Sequence, residues 1–309
     1  MCLEKVSIIM SSYNEKREFI IQAIESILNQ TYKNIEYIIV IDNPSNKSII
    51  DVIDRYSMID KRITVIGNKC NIGLTASLNK ALEICNGKYI ARMDADDISD
   101  PNRIERELQY LKKNKLDLVG CMTRRIDEKG NILNELTNIS YTPAHISKKL
   151  MFDNCIAHPT WLVKKEVYDT LHNYREISTA EDYDFLLRSK KNGFSLGICD
   201  ECLFSYRVNT SGISRNNSLR QTLTSHILQK EYNNIEAINQ VYIDSLINPH
   251  LSESSKVRFE QGIRLIDKAI YQIRKKNPLA LVSLCQALLC SKYIWLKLYK
   301  IYKIHSISI

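Results

Sequence analysis

Glycine, proline and long apolar runs are all scarce in this sequence. Its 309 residues include only 9 Gly and 6 Pro, which argues against a loop-dominated or fibrous chain. The uncharged stretch over residues 277–291 is too short and too polar to span a membrane. With 44% hydrophobic and 25% charged residues, the composition is that of a folded protein with one large or two medium domains.

A disulfide framework is missing as well. The nine cysteines are scattered and odd in number. Cys199 and Cys202 form a CxxC pair, but a structural zinc ion would need a second pair of ligands, so free thiols are expected. Because a strand-like segment begins at Val6, we expect no targeting segment, and the reducing cytoplasm is the predicted compartment.

Two common phosphate-binding loops are absent from the sequence. No GxGxxG follows the first strand-like run, and GxxxxGK[ST] occurs nowhere. A dinucleotide-binding domain and a P-loop enzyme are therefore disfavoured. A nucleotidyltransferase is an alternative, because it also combines paired acids with a nucleotide, but residues 11–15 lack the Gly-rich basic loop that such enzymes use.

Apolar β-type runs alternate with segments of helical periodicity over the first 120 residues. The strand-like runs are residues 6–10, 35–41, 63–66, 89–93 and 116–120. This alternation predicts an α/β fold, with a mostly parallel, Rossmann-like sheet that is flanked by helices. Helical periodicity dominates towards the C-terminus, so we predict a first domain over residues 1–214 and a helical region over 215–309.

An acidic cluster follows the fourth of these strands. The segment Asp94–Asp97 carries three carboxylates, and because buried unpaired carboxylates are costly, such a cluster normally faces a cation or solvent. The spacing suits a hard divalent ion that also takes diphosphate oxygens, although a cap for the helix near Pro101 is the structural alternative. Ser11 to Glu15 and Asp42 also follow strands, so one crevice at the carboxyl edge of the sheet can collect them all.

A second acidic group opens a later helix. Glu181, Asp182 and Asp184 precede the amphipathic segment that ends at Arg188. Acids in the first turn interact favourably with the helix macrodipole, which is the structural explanation. A carboxylate in this position can also serve as the general base that deprotonates an acceptor hydroxyl.

His158 and Trp161 lie in the irregular region between the two acidic groups. No second His stands at metal-ligand spacing from His158, so a structural role is expected for it. Trp161 can offer an apolar platform to a sugar or a lipid-linked acceptor, but packing in the core is the expected role.

Taken in order, these motifs resemble the inverting glycosyltransferases of family 2, which have the GT-A fold. The likeness covers about residues 4–214. The matching segments are Val6–Glu15, Tyr37–Asp42, Asn71–Leu74, Gly87–Asp97, Glu181–Asp182 and Tyr206–Arg207. The resemblance implies transfer of a sugar from a nucleotide donor with inversion at the anomeric carbon, which gives a β-linked product.

The resemblance also implies a role for each site residue. Asp182 would be the catalytic base, with Glu181 as its neighbour. Asp96 would bind Mn²⁺ or Mg²⁺ directly, with Asp94 on the ribose or a metal-bound water and Asp97 in support. Asp42 would contact the uracil of the UDP-sugar. The other residues that bind the donor would be Ser11, Tyr13, Glu15 and Arg207.

The implied reaction belongs to bacterial O-antigen or capsule assembly. A hexose, with glucose or galactose favoured, would pass to a lipid-linked saccharide such as GlcNAc-diphospho-undecaprenol, with a β-1,3 bond favoured. Many relatives carry a His two residues after the Tyr-Arg pair, but Asn209 stands there, so water is expected to replace a third protein ligand of the metal. The alternative from another class is a non-catalytic nucleotide-sugar-binding scaffold at the membrane, which the intact acidic motifs disfavour.

The C-terminal region carries the whole net positive charge. The protein has a net charge of +8, and the segment from Lys256 to Ile309 contains 11 Lys and Arg against two acids. Lys292–Lys303 interleaves Lys with Trp, Tyr and Leu, as in a helix that lies in a membrane interface. We therefore expect peripheral binding to the inner face of the cell membrane, and the alternative is a helix packed on the domain with a solvated basic face. No nucleic-acid-binding module accompanies the charge, so nucleic acid is not expected as a partner.

Overall fold

The structure is a computed structural model, and it describes residues 3–134, 141–208 and 217–307. Nine strands form one sheet within these residues. The strands are β1 Val6–Ser12, β2 Ile35–Ile41, β3 Ile63–Gly67, β4 Tyr89–Asp94, β5 Ile98–Ser99, β6 Leu118–Ile126, β7 Ile132–Asn134, β8 Leu162–Lys164 and β9 Leu196–Arg207. The predicted strand-like runs are confirmed, except that the fifth strand begins two residues later than predicted and ends six residues later, at Ile126.

Twelve α-helices are formed by the same described residues. They are α1 Arg17–Leu28, α2 Lys47–Ile59, α3 Leu74–Glu83, α4 Arg103–Lys113, α5 Pro143–Lys149, α6 Lys165–Leu171, α7 Glu181–Lys191, α8 Ser218–Lys230, α9 Gln240–Ile247, α10 Glu253–Arg274, α11 Leu279–Cys290 and α12 Lys292–Ser306. No helix among the described residues has the length and apolar character that crossing a membrane would require.

The sheet has the order β3-β2-β1-β4-β8-β6-β9-β5, and β7 pairs with β6. Strands β3, β2, β1 and β4 are parallel, as are β6 and β9, whereas β8 runs antiparallel to both β4 and β6. The antiparallel ladders join only two or three residue pairs each, so most of the pairing is parallel, in agreement with the predicted fold class. The insertion of the short strand β8 between β4 and β6 was not predicted, because three residues carry too little periodicity.

The central strands are buried on both faces. Val6, Ile8, Ile9 and Met10 of β1 have no solvent exposure, as expected for a parallel strand with helices on both sides of its sheet. Residue types alternate little here because neither face meets water. None of the eight cysteines within the described residues forms a disulfide bond, and this includes the CxxC pair on β9.

The chain divides into two compact units. The first comprises Met1–Ser147, Asn154–Glu176 and Arg188–Asn209, and contains the sheet; the second comprises Lys148–Asp153, Ile177–Leu187 and Thr210–Ile309. The predicted boundary at residue 214 lies outside the described residues. The second unit also takes in two segments from the middle of the chain, which a boundary along the sequence does not capture.

Hydrogen bonds explain why these middle segments belong to the second unit. The hydroxyl of Tyr183 donates to the carbonyl of Leu150 at 2.6 Å, and the backbone N–H of Ser178 donates to Oε1 of Gln240 at 2.7 Å. These bonds join segments that are 33 and 62 residues apart. Such distant pairing leaves no local signal in the sequence.

Candidate active site

The carboxyl ends of β1, β2 and β4 form one edge, where several predicted site residues lie. Ser11 on β1 pairs in register with Asp94 on β4. On the other side of β1, the backbone N–H of Asp42 donates to the carbonyl of Ser12 at 2.8 Å. The strand order therefore places the carboxyl ends of these three strands at the same edge of the sheet.

Glu15 closes the turn that follows β1. Its Oε2 accepts hydrogen bonds from the hydroxyl of Ser12 at 2.9 Å and from the backbone N–H of Tyr13 at 2.8 Å. Burial raises the pKa of Glu15, and the nearby carboxylate of Asp94 adds to the rise. Because the Tyr13 residue is 40% exposed, the turn supplies both a half-buried acid and an exposed aromatic ring.

Asp94 is held by an arginine that the sequence analysis did not single out. Nη2 of Arg92 donates to Oδ1 of Asp94 at 2.6 Å, and the Arg92 side chain is only 1% exposed. The Asp94 side chain is 32% exposed. One carboxylate oxygen is therefore fixed by a charge-assisted bond, while the carboxylate as a whole remains accessible from solvent. The signal in the sequence is a charged residue inside an otherwise apolar strand.

Asp96 and Asp97 concentrate negative charge beside Asp94. Burial raises the pKa of Asp96 to about 7, and the carboxylates of Asp94 and Glu15 contribute to the rise. Burial, Asp94 and Asp96 likewise raise the pKa of Asp97 well above its usual range. Oδ1 of Asp97 accepts the backbone N–H of Arg207 at 2.7 Å, whereas its Oδ2 is buried without a hydrogen-bond partner.

This donor set fits a hard divalent cation whose coordination is completed by a ligand. Within the described residues, no three His, Cys, Asp or Glu side chains converge as a complete metal site. Mg²⁺ is commonly held by one or two carboxylates together with substrate phosphates, so a full protein cage is not required. Asp96 and the exposed part of Asp94 are better placed for this role than Asp97, which bonds a backbone N–H. Asn209, where relatives carry a His, lies outside the described residues.

The structure shows that the acidic cluster does not cap a helix. Strand β5 separates the cluster from α4, whose N-cap residue is Asn102. The backbone N–H of Asn102 donates instead to Oδ1 of Asp100 at 3.0 Å. The capping alternative is therefore wrong, because the helix begins too late for these carboxylates.

Arg207 forms hydrogen bonds with residues of the acidic cluster. Its guanidinium is buried and donates from Nε to the carbonyl of Asp96 at 2.7 Å. Three further bonds from the same guanidinium, of 2.6 to 3.1 Å, go to the carbonyls of Asp127 and Glu128 and to Oε1 of Gln22. Four of its five N–H groups are thus engaged within the protein. In this arrangement Arg207 positions the backbone of Asp96, and its predicted contact with the donor stays a prediction.

Asp42 is held in a buried polar network. Its Oδ1 accepts from Nδ2 of Asn68 and from the backbone N–H of Ile72, and its Oδ2 accepts from the backbone N–H of Gly73, all at 2.9 Å. Asn68 in turn receives a hydrogen bond from Nζ of Lys80 at 2.8 Å. The carboxylate therefore fixes the turn at the start of α3. Its predicted contact with uracil stays a prediction, and it would use lone pairs that these bonds leave over.

Glu181 and Asp182 begin α7 and lie in the second unit. Oδ1 of Asp182 accepts the backbone N–H of Tyr183 at 2.6 Å. Both acids are half-buried, whereas Asp184 has no solvent exposure. A base that must meet an acceptor needs access to it, so these positions favour Asp182 over Asp184. The catalytic assignment of Glu181 and Asp182 stays a prediction.

His158 and Trp161 belong to the buried interior. Trp161 has no solvent exposure, and its indole N–H donates to the carbonyl of Ile156 at 3.1 Å. Nε2 of His158 bonds the hydroxyl of Tyr174 at 2.8 Å, and burial lowers the pKa of His158 well below its usual value. The structural interpretations of both residues are confirmed.

Tyr206 is a further aromatic residue beside the carboxylates. It is 38% exposed. Its pKa is raised by burial of the hydroxyl and by the acids of the cluster, Asp94 first. Only its place in the Tyr-Arg pair marks Tyr206 in the sequence.

A cavity of about 320 Å³ lies elsewhere, among the helices of the second unit. It is lined by Asn217, Ser218, Leu219, Arg220, Asn248, Leu251, Lys256 and Glu260. None of the predicted site residues lines it. The candidate site is therefore defined by its chemistry and not by the size of a cavity.

The fold is of the α/β class with an acid-rich edge, and sequence comparison identifies the family of the chain. Residues 7–172 match the family described as "Glycosyl transferase family 2". This is more than half of the chain, which therefore belongs to glycosyltransferase family 2. The chain is 38% identical over 240 residues to an uncharacterized glycosyltransferase of Methanocaldococcus jannaschii, covering 77% of this chain and 83% of that protein. It is 34% identical over 216 residues to the O-antigen biosynthesis glycosyltransferase WbnJ of Escherichia coli, covering 69% and 83%.

Solved structures of similar fold are glycosyltransferases with the GT-A fold. S. aureus TarS in complex with UDP-GlcNAc aligns with a TM-score of 0.59 at 14% identity, over 94% of this chain and 90% of that chain. The mannosyltransferase PcManGT of Pyrobaculum calidifontis, in complex with GDP-Man and Mn²⁺, aligns with a TM-score of 0.59 at 14% identity, over 98% and 85%. At this identity the likeness concerns the fold alone, and it confirms the predicted GT-A fold.

Proposed function

We propose that this glycosyltransferase transfers a hexose, glucose or galactose, from a UDP-sugar with inversion of the anomeric carbon. The observation that carries the proposal is the clustering of Glu15, Asp94 and Asp96 at the edge of the sheet where β1 and β4 end. This is where open α/β sheets bind their ligands. Membership in family 2 and the UDP-GlcNAc complex of TarS support a nucleotide-sugar donor.

A divalent cation, Mn²⁺ or Mg²⁺, is proposed at this cluster. Asp96 and Asp94 would hold it, with Asp97 in support. When bound, the cation neutralises charge on the diphosphate that leaves with the nucleotide. The Mn²⁺ in the PcManGT complex supports this assignment. The raised pKa of Asp96 supports it as well, because burial and the neighbouring carboxylates of Asp94 and Glu15 cause the rise.

Asp182 is the proposed general base. It would take the proton of the acceptor hydroxyl while the hydroxyl oxygen forms a bond to the anomeric carbon and the bond from that carbon to UDP breaks. Its position at the start of α7, with Oδ1 on the N–H of Tyr183, orients the carboxylate. Glu181 is the proposed neighbour that adds negative charge beside the base.

The proposed acceptor is a lipid-linked saccharide such as GlcNAc-diphospho-undecaprenol, with a β-1,3 bond favoured. The relationship to WbnJ, named for O-antigen biosynthesis, supports a role in bacterial surface polysaccharide assembly. An acceptor with a membrane-embedded lipid requires the enzyme to work at the inner face of the cell membrane. We therefore propose a peripheral membrane location.

A donor screen tests the reaction. The full chain is incubated with UDP-glucose, UDP-galactose, UDP-GlcNAc or GDP-mannose and a synthetic GlcNAc-diphosphate lipid, with Mn²⁺, Mg²⁺ or a chelator. Transfer from a UDP-hexose that the chelator abolishes is expected. Full turnover without metal would overturn the assignment of the cation site, and binding of UDP-sugars without any transfer would favour the scaffold alternative.

Asp182→Asn tests the base. Its transfer rate is expected to fall by about 10²–10⁴-fold, the usual contribution of a general base, while UDP binding measured by calorimetry stays unchanged. Asp169→Asn, an exposed acid on α6 whose side chain is 58% exposed, is the matched control and should keep the wild-type rate. Persistent transfer by Asp182→Asn would place the base elsewhere.

A further inference from the structure

Helix α12 in the second unit has an inward face and an outward face, and one of its lysines lies on the inward face. Lys300 is only 1% exposed, and burial lowers its pKa. Nζ of Lys297 lies 3.4 Å from Oδ2 of Asp153. Lys300 is therefore buried, and the charge of Lys297 is paired within the unit.

The outward face of α12 is aromatic. Trp295, Tyr299 and Tyr302 are 61%, 51% and 67% exposed. Their spacing of four and three residues places them on one face of a helix. Nζ of Lys303 lies 5.6 Å from the centre of the Tyr299 ring, so a cation accompanies this face at its C-terminal end. Large aromatic side chains on one exposed face are unusual for a surface that meets only water.

The preceding helix α11 has a similar exposed face without any charge. Leu281, Val282 and Leu289 are 69%, 51% and 87% exposed, and no residue of α11 is charged. On the inner side of α11, the hydroxyl of Ser283 donates to the side chain of Gln272 on α10 at 2.8 Å. The apolar outward residues are therefore not needed to hold the helices of this unit together.

The chain after Asp267 carries charge of one sign. The sequence contains no Asp or Glu after Asp267, while Lys268, Lys275, Lys276 and Lys292 are all exposed. Trp and Tyr prefer the interface between water and lipid because their rings are apolar and carry one polar group. Exposed lysines beside such rings add attraction to anionic headgroups.

We propose that the aromatic face of α12, assisted by the exposed lysines at positions 275, 276 and 292, binds the surface of an anionic lipid bilayer. Charge decides in favour of lipid over a second copy of this chain, because two such faces would bring surfaces of the same positive sign together. The inference gives the proposed lipid-linked acceptor a physical route to the enzyme. Vesicle binding needs neither donor nor acceptor, so it is measured independently of the proposed reaction.

Co-sedimentation of the full chain with vesicles tests the proposal. Vesicles of phosphatidylcholine alone are compared with vesicles in which about one third of the lipid is phosphatidylglycerol, a fraction that gives a strongly anionic surface. The wild-type chain is expected to pellet with the anionic vesicles only. The triple substitution Trp295→Ser, Tyr299→Ser and Tyr302→Ser is expected to weaken this binding by about tenfold or more, because the rings no longer enter the interface.

Two further variants separate the contributions of charge. Lys275→Gln, Lys276→Gln and Lys292→Gln together should weaken binding at low salt by about a hundredfold, roughly fivefold for each lysine, and by less at high salt. Lys297→Gln should leave binding unchanged, because its ammonium pairs with Asp153. A loss of binding caused by Lys297→Gln but not by substitution of the exposed lysines would overturn the proposal.

The matched control replaces exposed apolar residues elsewhere in the same unit. Val241, Tyr242 and Leu246 on α9 are 79%, 39% and 42% exposed, and their replacement by Ser should not change pelleting. Circular dichroism verifies that each variant is folded. Wild-type pelleting by the folded aromatic variant overturns the proposal, as does an equal loss in the α9 control or a dimer that the aromatic variant abolishes in the absence of lipid.

Discussion

Replacing Asp42 by Asn is expected to weaken both the fold and donor binding, because this carboxylate is the centre of a buried network. It is 3% exposed and accepts three hydrogen bonds of 2.9 Å, two on Oδ1 and one on Oδ2. An Asn side chain can keep the two bonds on its single oxygen. Its amide N–H would then face the backbone N–H of Gly73, and the two donors cannot bond each other. The N–H of Gly73 would keep one side-chain acceptor, Oδ1 of Asn71 at 2.9 Å.

The expected loss follows from this arrangement. One bond to a charged acceptor disappears, which costs about 1.5–3 kcal/mol, and the two remaining bonds lose the negative charge that strengthens them. The free energy of unfolding should therefore fall by about 2–4 kcal/mol. Because the turn at Gly73 starts α3, the loss of order should reach the loop beside the proposed uracil contact, and the KM for the donor should rise.

Urea unfolding followed by circular dichroism measures the stability, and titration with UDP measures donor binding. Asp51→Asn, an exposed acid on α2, is the matched control and should match the wild type in both assays. An Asp42→Asn protein that unfolds at the wild-type urea concentration would show that the carboxylate does not hold the turn. A stability loss with unchanged UDP affinity would separate the structural role from donor recognition and refute the second.

Two further predictions concern buried charges in the first unit. Glu107 is fully buried, and burial raises its pKa from 4.5 to about 8. Between these two pH values the folded state holds a proton on Glu107 that the unfolded state has lost. The free energy of unfolding should therefore fall by about 3–5 kcal/mol as the pH rises through this window. Glu107→Gln should remove that slope in urea unfolding at pH 5 and pH 8, and an unchanged slope would contradict the assignment. Arg207→Lys keeps the charge but cannot reproduce four divergent hydrogen bonds, so its thermal stability should fall by an amount equivalent to about 3 kcal/mol or more. Wild-type stability together with a raised KM for the donor would instead favour direct contact with the diphosphate.

The sequence was sufficient to predict the strands of the first half of the sheet and the edge at which they end. Runs such as 35–41 are apolar enough to be recognised locally, and the direction of parallel strands then places Ser11, Asp42 and Asp94 at the same edge. These are consequences of short-range patterns and of one topological rule. The same reasoning cannot place β8, since its position depends on pairing between residues that are far apart along the chain.

The supporting residues of the site were not predicted because their role is set by distant contacts. Arg92 is a charged residue within an otherwise apolar strand, and the sequence pattern does not indicate its bond to Asp94. Gln22 on α1 accepts a hydrogen bond from Arg207, which is 185 residues away along the chain. On α12, helical spacing alone does not say which face turns inward, so the burial of Lys300 and the pairing of Lys297 with Asp153 could not be predicted.

The charge of the acidic edge explains why a cluster of this kind needs a partner. Burial and the neighbouring carboxylates, that of Asp94 first, raise the pKa of Glu15, Asp96 and Asp97 at this edge of the sheet. Two buried guanidinium groups, of Arg92 and Arg207, oppose them. With all six groups ionised the formal balance is −2, which equals the charge of one divalent cation with opposite sign. Oδ1 of Asp94 bonds Arg92, and Oδ1 of Asp97 accepts the backbone N–H of Arg207, so these two carboxylate oxygens are already engaged. A cation at the proposed site would therefore be held more tightly once the diphosphate of the donor completes its coordination.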